Sequence, residues 1–408
     1  MIRKKNSFFK GETIAGVTIV FLLALSWRVY AGAGKPGAAI LNKPIGAKAS
    51  GMGEAYTAIG GDLYGLYYNP AGIAGIKEKQ ASLFGQKGFM EGEYFGTLAY
   101  GMPTKVGSFA LSLAYYTAGK IELIDSSWNE TEVNAQKDYL ISLGYGRDLA
   151  ENIDVGLSVK NLGSKLVEKF SASSYIFDFG AIYRVSRTPV SIGAALQNIG
   201  SKLKYIDEGD YLPLTLRIGG SYYMEDKFNI PMLIAADIVK IRDDSKLKEH
   251  LGIEYMLKEK LSMRAGYKIG YDLDSFTFGI GFLFDFFDID YSFSIMGELD
   301  LVHKVSLNIN FGSRAERFYA NGMEYLKRAN YDRAGYMFYR CLLLEPDNEE
   351  YQNELRELVE NDADNIAYFG VAVELARQYV RERKYDDAIE FYHYAIDMAQ
   401  EIERQKNK

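Results

Sequence analysis

Nine charged residues stand at alternating positions inside segments whose intervening positions are mostly apolar. The cations are Lys160, Arg184, Arg217, Arg264 and Lys268; the anions are Asp178, Asp237, Glu254 and Asp290. Charges of both signs on one face can neutralise one another and brace whatever lies against them. They can equally line a polar conduit. Spacing along the chain does not pair them, so both roles stay open. Other groups offer less chemistry. His250, His303 and His393 are scattered and share no ligand spacing with cysteine or carboxylates. Cys341 is the one cysteine, so an intramolecular disulfide is excluded. No Ser/His/Asp set and no carboxylate pair stands in a recognisable catalytic context. These residues predict no enzyme activity, no cofactor and no metal.

The elements that carry the nine charges are strands. In 153–160, Ile153, Val155, Leu157 and Val159 alternate with Asp154, Gly156, Ser158 and Lys160; in 304–311, Val305, Leu307, Ile309 and Phe311 alternate with Lys304, Ser306, Asn308 and Asn310. Successive strand residues point to opposite faces, so each segment has one apolar and one polar face. Segments of about 9–11 residues suit tilted strands crossing a bilayer. The pattern predicts strands at 81–87, 93–101, 107–116, 137–146, 153–161, 174–184, 188–198, 214–223, 230–239, 249–257, 261–269, 274–284, 286–295 and 302–311. Fourteen is even, as single-chain bacterial barrels require. Short links (102–106, 147–152, 185–187, 224–229, 258–260 and 285) alternate with longer ones, notably 117–136, 162–173 and 198–213. Short periplasmic turns and long outer loops are the barrel habit, which places both barrel ends, and so the chain that follows, in the periplasm. A soluble β-sandwich also alternates polarity. The strand lengths and the tyrosines near strand ends (Tyr115, Tyr116, Tyr222, Tyr223, Tyr267, Tyr271) argue for the barrel.

The flanks support that reading. Arg3, Lys4, Lys5 and Lys10 precede an apolar stretch at 14–25, and small residues around Ala31 offer a cleavage site. Residues 1–31 are therefore expected to be a secretory signal. The 40 glycines and 55 Tyr plus Phe suit a crowded inner wall and interface girdles. A net charge of −7 argues against nucleic acid as a partner.

After 313 the apolar period becomes helical. Phe318, Gly322, Tyr325, Ala334, Phe338, Cys341 and Pro346 fall where a tetratricopeptide repeat places bulky, small, aromatic and terminating residues. Ala376, Tyr379, Ala388, Tyr392 and Ala395 make a poorer second match, and two repeats plus an extra helix are near the minimum for a stable stack. Residues 314–408 hold 14 Lys/Arg and 20 Asp/Glu, so this part is acidic. It is expected to bind a periplasmic protein, with capping or dimerisation as the alternative.

Residues 46–73, GAKASGMGEAYTAIGGDLYGLYYNPAGI, resemble the N-terminal segment of the PorV/PorQ family of FadL-like outer-membrane proteins. The Gly/Ala-rich start, Asp62, and Asn69, Pro70, Ala71 and Gly72 carry the resemblance. Lys160, Asn161, Leu162 and Gly163, and Gln197, Asn198, Ile199 and Gly200, look like that family's recurring strand ends. The resemblance implies a fourteen-stranded barrel whose residues 32–79 form a hatch in the lumen, with Asn69, Pro70, Ala71 and Gly72 as its turn motif. The expected organisation is thus a signal (1–31), a hatch (32–79), an all-β transmembrane barrel of about 14 antiparallel strands (80–312), and a small all-α tetratricopeptide-like domain (313–408). The implied partners are outer-membrane lipid and a hydrophobic small molecule to be transported. The family's PorV branch implies instead a secretion or surface-assembly role, with the tail holding a periplasmic protein.

Overall fold

The computed structural model describes residues 38–361 apart from 89, 125–127, 129, 151, 187, 229, 243, 259, 272–274, 285, 297–300, 329 and 346–347, together with 373, 376–377, 379–381, 388–389, 391–393 and 396. The signal segment expected at 1–31, Pro346 and Ala395 lie outside these residues.

Fourteen antiparallel strands close into one barrel. They are β1 (Gln80–Lys87), β2 (Glu93–Thr104), β3 (Gly107–Ala118), β4 (Gln136–Ala150), β5 (Ile153–Leu166), β6 (Phe170–Arg184), β7 (Val190–Gly200), β8 (Thr215–Tyr223), β9 (Met232–Ile241), β10 (Lys248–Leu257), β11 (Leu261–Ile269), β12 (Phe276–Leu283), β13 (Phe287–Ile295) and β14 (Leu301–Asn310). Each pairs with its sequence neighbour, and β14 pairs with β1, from Gln80 against Asn310 to Gln86 against Lys304. Closure leaves no unpaired edge, which is what lets strands sit in lipid.

The wall is inverted relative to a soluble sandwich. Leu98, Leu113, Ile141, Leu143 and Phe179 are about half exposed on the outside, whereas Ser112, Asp138, Ser142, Ser158 and Asp178 are buried inside. Alternation therefore directs apolar side chains toward lipid. No described helix is long and apolar enough to cross a membrane.

Two links differ from expectation. The link expected at 162–173 is mostly strand: β5 and β6 continue to a turn at Val167 and Glu168, whose φ angles are 50° and 57°. A tight turn of this hand normally advertises itself with Asn-Gly or Asp-Gly. Here Glu168 is held from outside, accepting from Asn134 Nδ2 at 2.7 Å and Lys137 Nζ at 3.1 Å. The 117–136 link carries its own hairpin, Lys120–Ile124 against Glu130–Asn134.

Inside the barrel lies an inner segment, residues 38–79. It contains α1 (Ala47–Gly51), α2 (Gly65–Tyr68) and 3-10 turns at Ala39–Asn42 and Pro70–Gly75. Its small residues let the chain fold back on itself: Gly72 packs against Gly65 and Gly60, and Gly61 donates to the Gly72 carbonyl at 2.9 Å. A short α3 (Glu225–Phe228) lies between β8 and β9.

Beyond β14 come α4 (Arg314–Lys327), α5 (Tyr331–Leu344) and α6 (Glu349–Asn361). Ser313 and Glu316 form a capping box that starts α4 as the chain leaves the wall. Gly322 lies against the Phe338 ring, where a Cβ would collide. Ala334, Phe338, Cys341, Ala376, Tyr379 and Ala388 are buried in one cluster, with Phe318 and Tyr325 partly buried against it. Tyr392 does not take the packing place expected of it. It is exposed, and Phe391 is buried and stacks on Tyr379 at 5.5 Å. Positions 391 and 392 both lie within one helical turn of Ala388, and it is Phe391 whose ring meets Tyr379.

Replacing Leu143 with Arg places a charge at mid-strand on the lipid face. The expected cost is roughly 2–4 kcal/mol, read as a lower denaturant midpoint for the barrel in vesicles.

Candidate functional site

The inner segment is a chain with little regular structure in a lumen that offers it little water. Its amides need partners from the wall. Asp237 on β9 supplies several: its carboxylate accepts the Tyr56 and Thr57 N–H groups, each at 3.0 Å, and the Thr57 hydroxyl at 2.5 Å. Arg217 on β8 pairs with Asp237 at 3.2 Å, donates to the Glu54 carbonyl at 2.8 Å and to Thr57 Oγ1 at 3.1 Å. Lys268 on β11 holds the Glu54 carboxylate at 2.6 Å. One stretch of four residues is thus gripped from three strands.

The other expected charges also pair. Lys160 lies 2.5 Å from Asp178, and Arg264 bridges Glu254 at 3.1 Å and Asp290 at 2.6 Å. Arg184 pairs with Asp154, which the alternation in β5 had placed on the same polar face. All nine residues are buried, so the arrangement is a bracing network. The two strand-end fragments meet here as well. β7 bulges opposite Asp178, and the Asn198 N–H donates to Asp178 Oδ1 at 2.8 Å while Lys160 holds the other oxygen.

Asn69, Pro70, Ala71 and Gly72 sit within the lumen and are fully buried. Asn69 Oδ1 accepts the Ala71 N–H at 3.1 Å and caps the turn that Pro70 begins; its amide donates to Thr57 O at 2.7 Å and to Ala181 O on β6 at 3.1 Å. The wall makes room for this backbone with glycine. A Cβ at Gly156 would overlap the Pro70 carbonyl, and one at Gly180 the Asn69 side chain.

Part of the inner wall is apolar. Phe84, Phe95, Leu140, Leu162 and Ile176 are buried in one cluster with Ile40 and Ile45 of the inner segment. Sequence reading picked out the charged positions on this face and passed over these. Their signal was available, as apolar residues on the inward phase of their strands.

The mouth that carries the short turns is spanned by α4. Gly312, just before it, donates to Glu78 at 3.1 Å beside the β14–β1 joint. At the far end, Lys327 reaches Asp148 near the end of β4 at 3.0 Å, Glu324 reaches Arg184 at the end of β6 at 3.4 Å, and Tyr325 donates to Glu225 between β8 and β9 at 2.8 Å. Arg333 on α5 adds a 2.7 Å pair to Glu225, and Arg328 lies over the Tyr223 ring. Fourteen helical residues span about 21 Å, and these contacts start at the joint and end on turns opposite it in the ring of strands. Asp148 also lies 3.5 Å from Lys77 of the inner segment, so one carboxylate ties that segment to the tail.

A family model described as type IX secretion system protein PorV matches residues 37–241, half of the chain. The chain belongs to the PorV family. It is an outer-membrane β-barrel. Curated protein sequences yield no match. Among solved structures, the Ralstonia pickettii toluene transporter TbuX is 13% identical, covering 66% of this chain and 98% of its own, with a TM-score of 0.49. The Pseudomonas putida toluene transporter TodX is 15% identical, covering 65% and 96%, with a TM-score of 0.46. A Pseudomonas aeruginosa FadL homologue is 12% identical, covering 64% and 96%, with a TM-score of 0.43.

Among the described residues of this PorV-family chain, no group of three His, Cys, Asp or Glu could hold a metal. His250 is buried against the Tyr271 hydroxyl at 2.8 Å, and Cys341 lies in the tail core, where burial pushes its thiol up to about 12. The residues that sequence reading missed are Glu54, Thr57, Asp148, Glu225 and Glu324. The first two lie in a segment without periodicity. The others lie at a strand end or on helices, and only the fold brings them to a partner.

Two outcomes follow from this geometry. Asp237→Ala leaves Arg217 and two amides without their acceptor, and is expected to cost about 3–5 kcal/mol, measured as a lower denaturant midpoint with faster proteolysis within 54–57. Burial raises the Glu78 carboxyl to about 7, opposed by Arg317 and the Gly312 N–H. Its folded value exceeds the unfolded one, about 4.3, so its contribution to stability is full below that pH and lost as pH rises through 7. The tail's helical signal should therefore resist urea better at pH 5 than at pH 8, and Glu78→Gln should remove that part of the difference.

Proposed function

We propose that this PorV-family barrel serves protein secretion or surface assembly, with residues 32–79 acting as a hatch and residues 313–408 as a tetratricopeptide-like domain that holds a partner in the periplasm. The observation that carries this reading is the double obstruction of the axis: the lumen is filled by a segment braced with buried ion pairs, and α4 crosses the short-turn mouth. A route for free solute along the axis would have to displace both. The name of the matching family points the same way. Short turns and both barrel ends share the tail's side, which by the barrel habit is the periplasmic one. Asn69 and Gly72 act in this reading as the hatch's fixed turn. Exposed Tyr336 and Leu343 on α5 offer apolar surface to a partner.

The second reading is passage of a hydrophobic compound. The apolar cluster of Phe84, Phe95, Leu140, Leu162 and Ile176 favours it, because Ile40 occupies the kind of surroundings such a ligand would seek.

The two readings separate in cells and in lipid. For the first, loss of the chain should leave secreted proteins trapped in the periplasm, full-length protein should restore their export, and the purified protein should show little bilayer conductance. Saturable binding of a long-chain fatty acid, with export unaffected by loss of the chain, would establish transport in its place.

A further inference from the structure

One outward-facing patch of the wall is unlike the rest. Four adjacent strands, β3 to β6, bring their residues into rows across the barrel. Two of these rows are apolar or aromatic in the ordinary way: Leu111, Leu143, Val159 and Phe177 lie at mid-wall, and Leu113, Ile141 and Tyr175 lie in the row above. In that second row the fourth member is Asn161, a polar residue at the depth of leucine and isoleucine. The next row toward the long-loop end reads Tyr115, Tyr139, Gly163 and Ser173, and the last Thr117, Lys137, Lys165 and Ser171. The aromatic girdle is thus interrupted at Gly163, where an added Cβ would meet nothing within 4 Å.

Lys137 and Lys165 stand directly opposite one another above this notch. Neighbouring strands are about 4.8 Å apart, and like charges in direct register are unfavourable. Glu168 bonds Lys137 at 3.1 Å and offsets one charge, while Lys169 in the same turn restores it. The patch therefore keeps a positive excess. Exposed Tyr139 and Tyr175 flank the notch, and Ser171 and Ser173 line one side. Ammonium groups, hydroxyls and an amide around a hole in an aromatic belt, on a wall that faces acyl chains, match one chemistry: a phosphate carried on a lipid.

We infer that the outer face of β4 to β6 binds the phosphate of an anionic lipid in the leaflet at the long-loop end, with Lys137 and Lys165 as its cations and the Gly163 notch as its seat. Asn161 and Gly163, the outward half of one strand-end fragment, are thereby given a role; Lys160 and Leu162 face inward. The inference rests on the barrel lying in a bilayer and not on what the hatch or tail does.

The test uses the full-length protein carried from detergent into phosphatidylcholine containing diphosphorylated lipid A, with retained lipid counted by native mass spectrometry. The wild type should retain the phosphorylated lipid. Lys137→Gln with Lys165→Gln should weaken retention about ten-fold or more, since charge-assisted bonds are lost. Gly163→Phe keeps both charges and fills the notch, and should weaken retention as well. Lys202→Gln with Lys204→Gln, in the loop before β8, should change nothing. Gel mobility of unheated protein shows that each barrel has closed. Unchanged retention in both site variants, or equal loss in the Lys202 and Lys204 variant, would overturn the assignment.

Discussion

The structure depends on one demand: backbone amides placed inside a barrel must find partners there. The inner segment has only helices of four to six residues, so it cannot satisfy itself as a long helix would. The wall answers in two ways. Glycines such as Gly156 and Gly180 let the two backbones approach closely. Buried carboxylates, above all Asp237, accept amide protons and are themselves neutralised by a wall cation. Neither device works without the other. A carboxylate needs close approach to reach an amide, and close approach without an acceptor would strand the amide in a place of low dielectric.

The same logic explains why the charges come in linked sets. Arg217 touches the wall carboxylate, the inner segment's carbonyl and its hydroxyl, so removing any one partner disturbs the rest. Buried ion pairs of this kind add little net stability over apolar packing. Their contribution here is geometric, because each fixes a particular loop against a particular strand. The apolar cluster around Ile40 adds burial without that specificity.

At the short-turn end the contacts change character. Lys327 with Asp148 and Arg333 with Glu225 are partly exposed pairs, individually weak and sensitive to salt. Together they span the mouth, and Asp148 reaches Lys77 as well. A firmly held inner segment and a loosely held tail therefore share a residue.

Much of this was legible in the residues alone. Alternating polarity and the alternation of link lengths determined fourteen strands in order, and glycine and tyrosine abundance fitted them to a wall. They could do so because strand period and span length are local properties. The helical period after 313 was equally plain, although the face of the last described stretch was misjudged by one residue, at Tyr392 in place of Phe391. The tight turn at Val167 and Glu168 carried no turn residues, because contacts from Asn134 and Lys137 hold it. Tertiary structure alone decided which charge meets which, where Asn69 points, and that α4 lies across the mouth. The grips on the inner segment and the span of α4 join residues more than a hundred positions apart, such as Asp148 with Lys327 and Tyr56 with Asp237, while the wall charges pair across neighbouring strands, as Lys160 does with Asp178. No periodicity records either kind of pairing, since strand register sets the one and the packing of the inner segment and the tail against the wall sets the other.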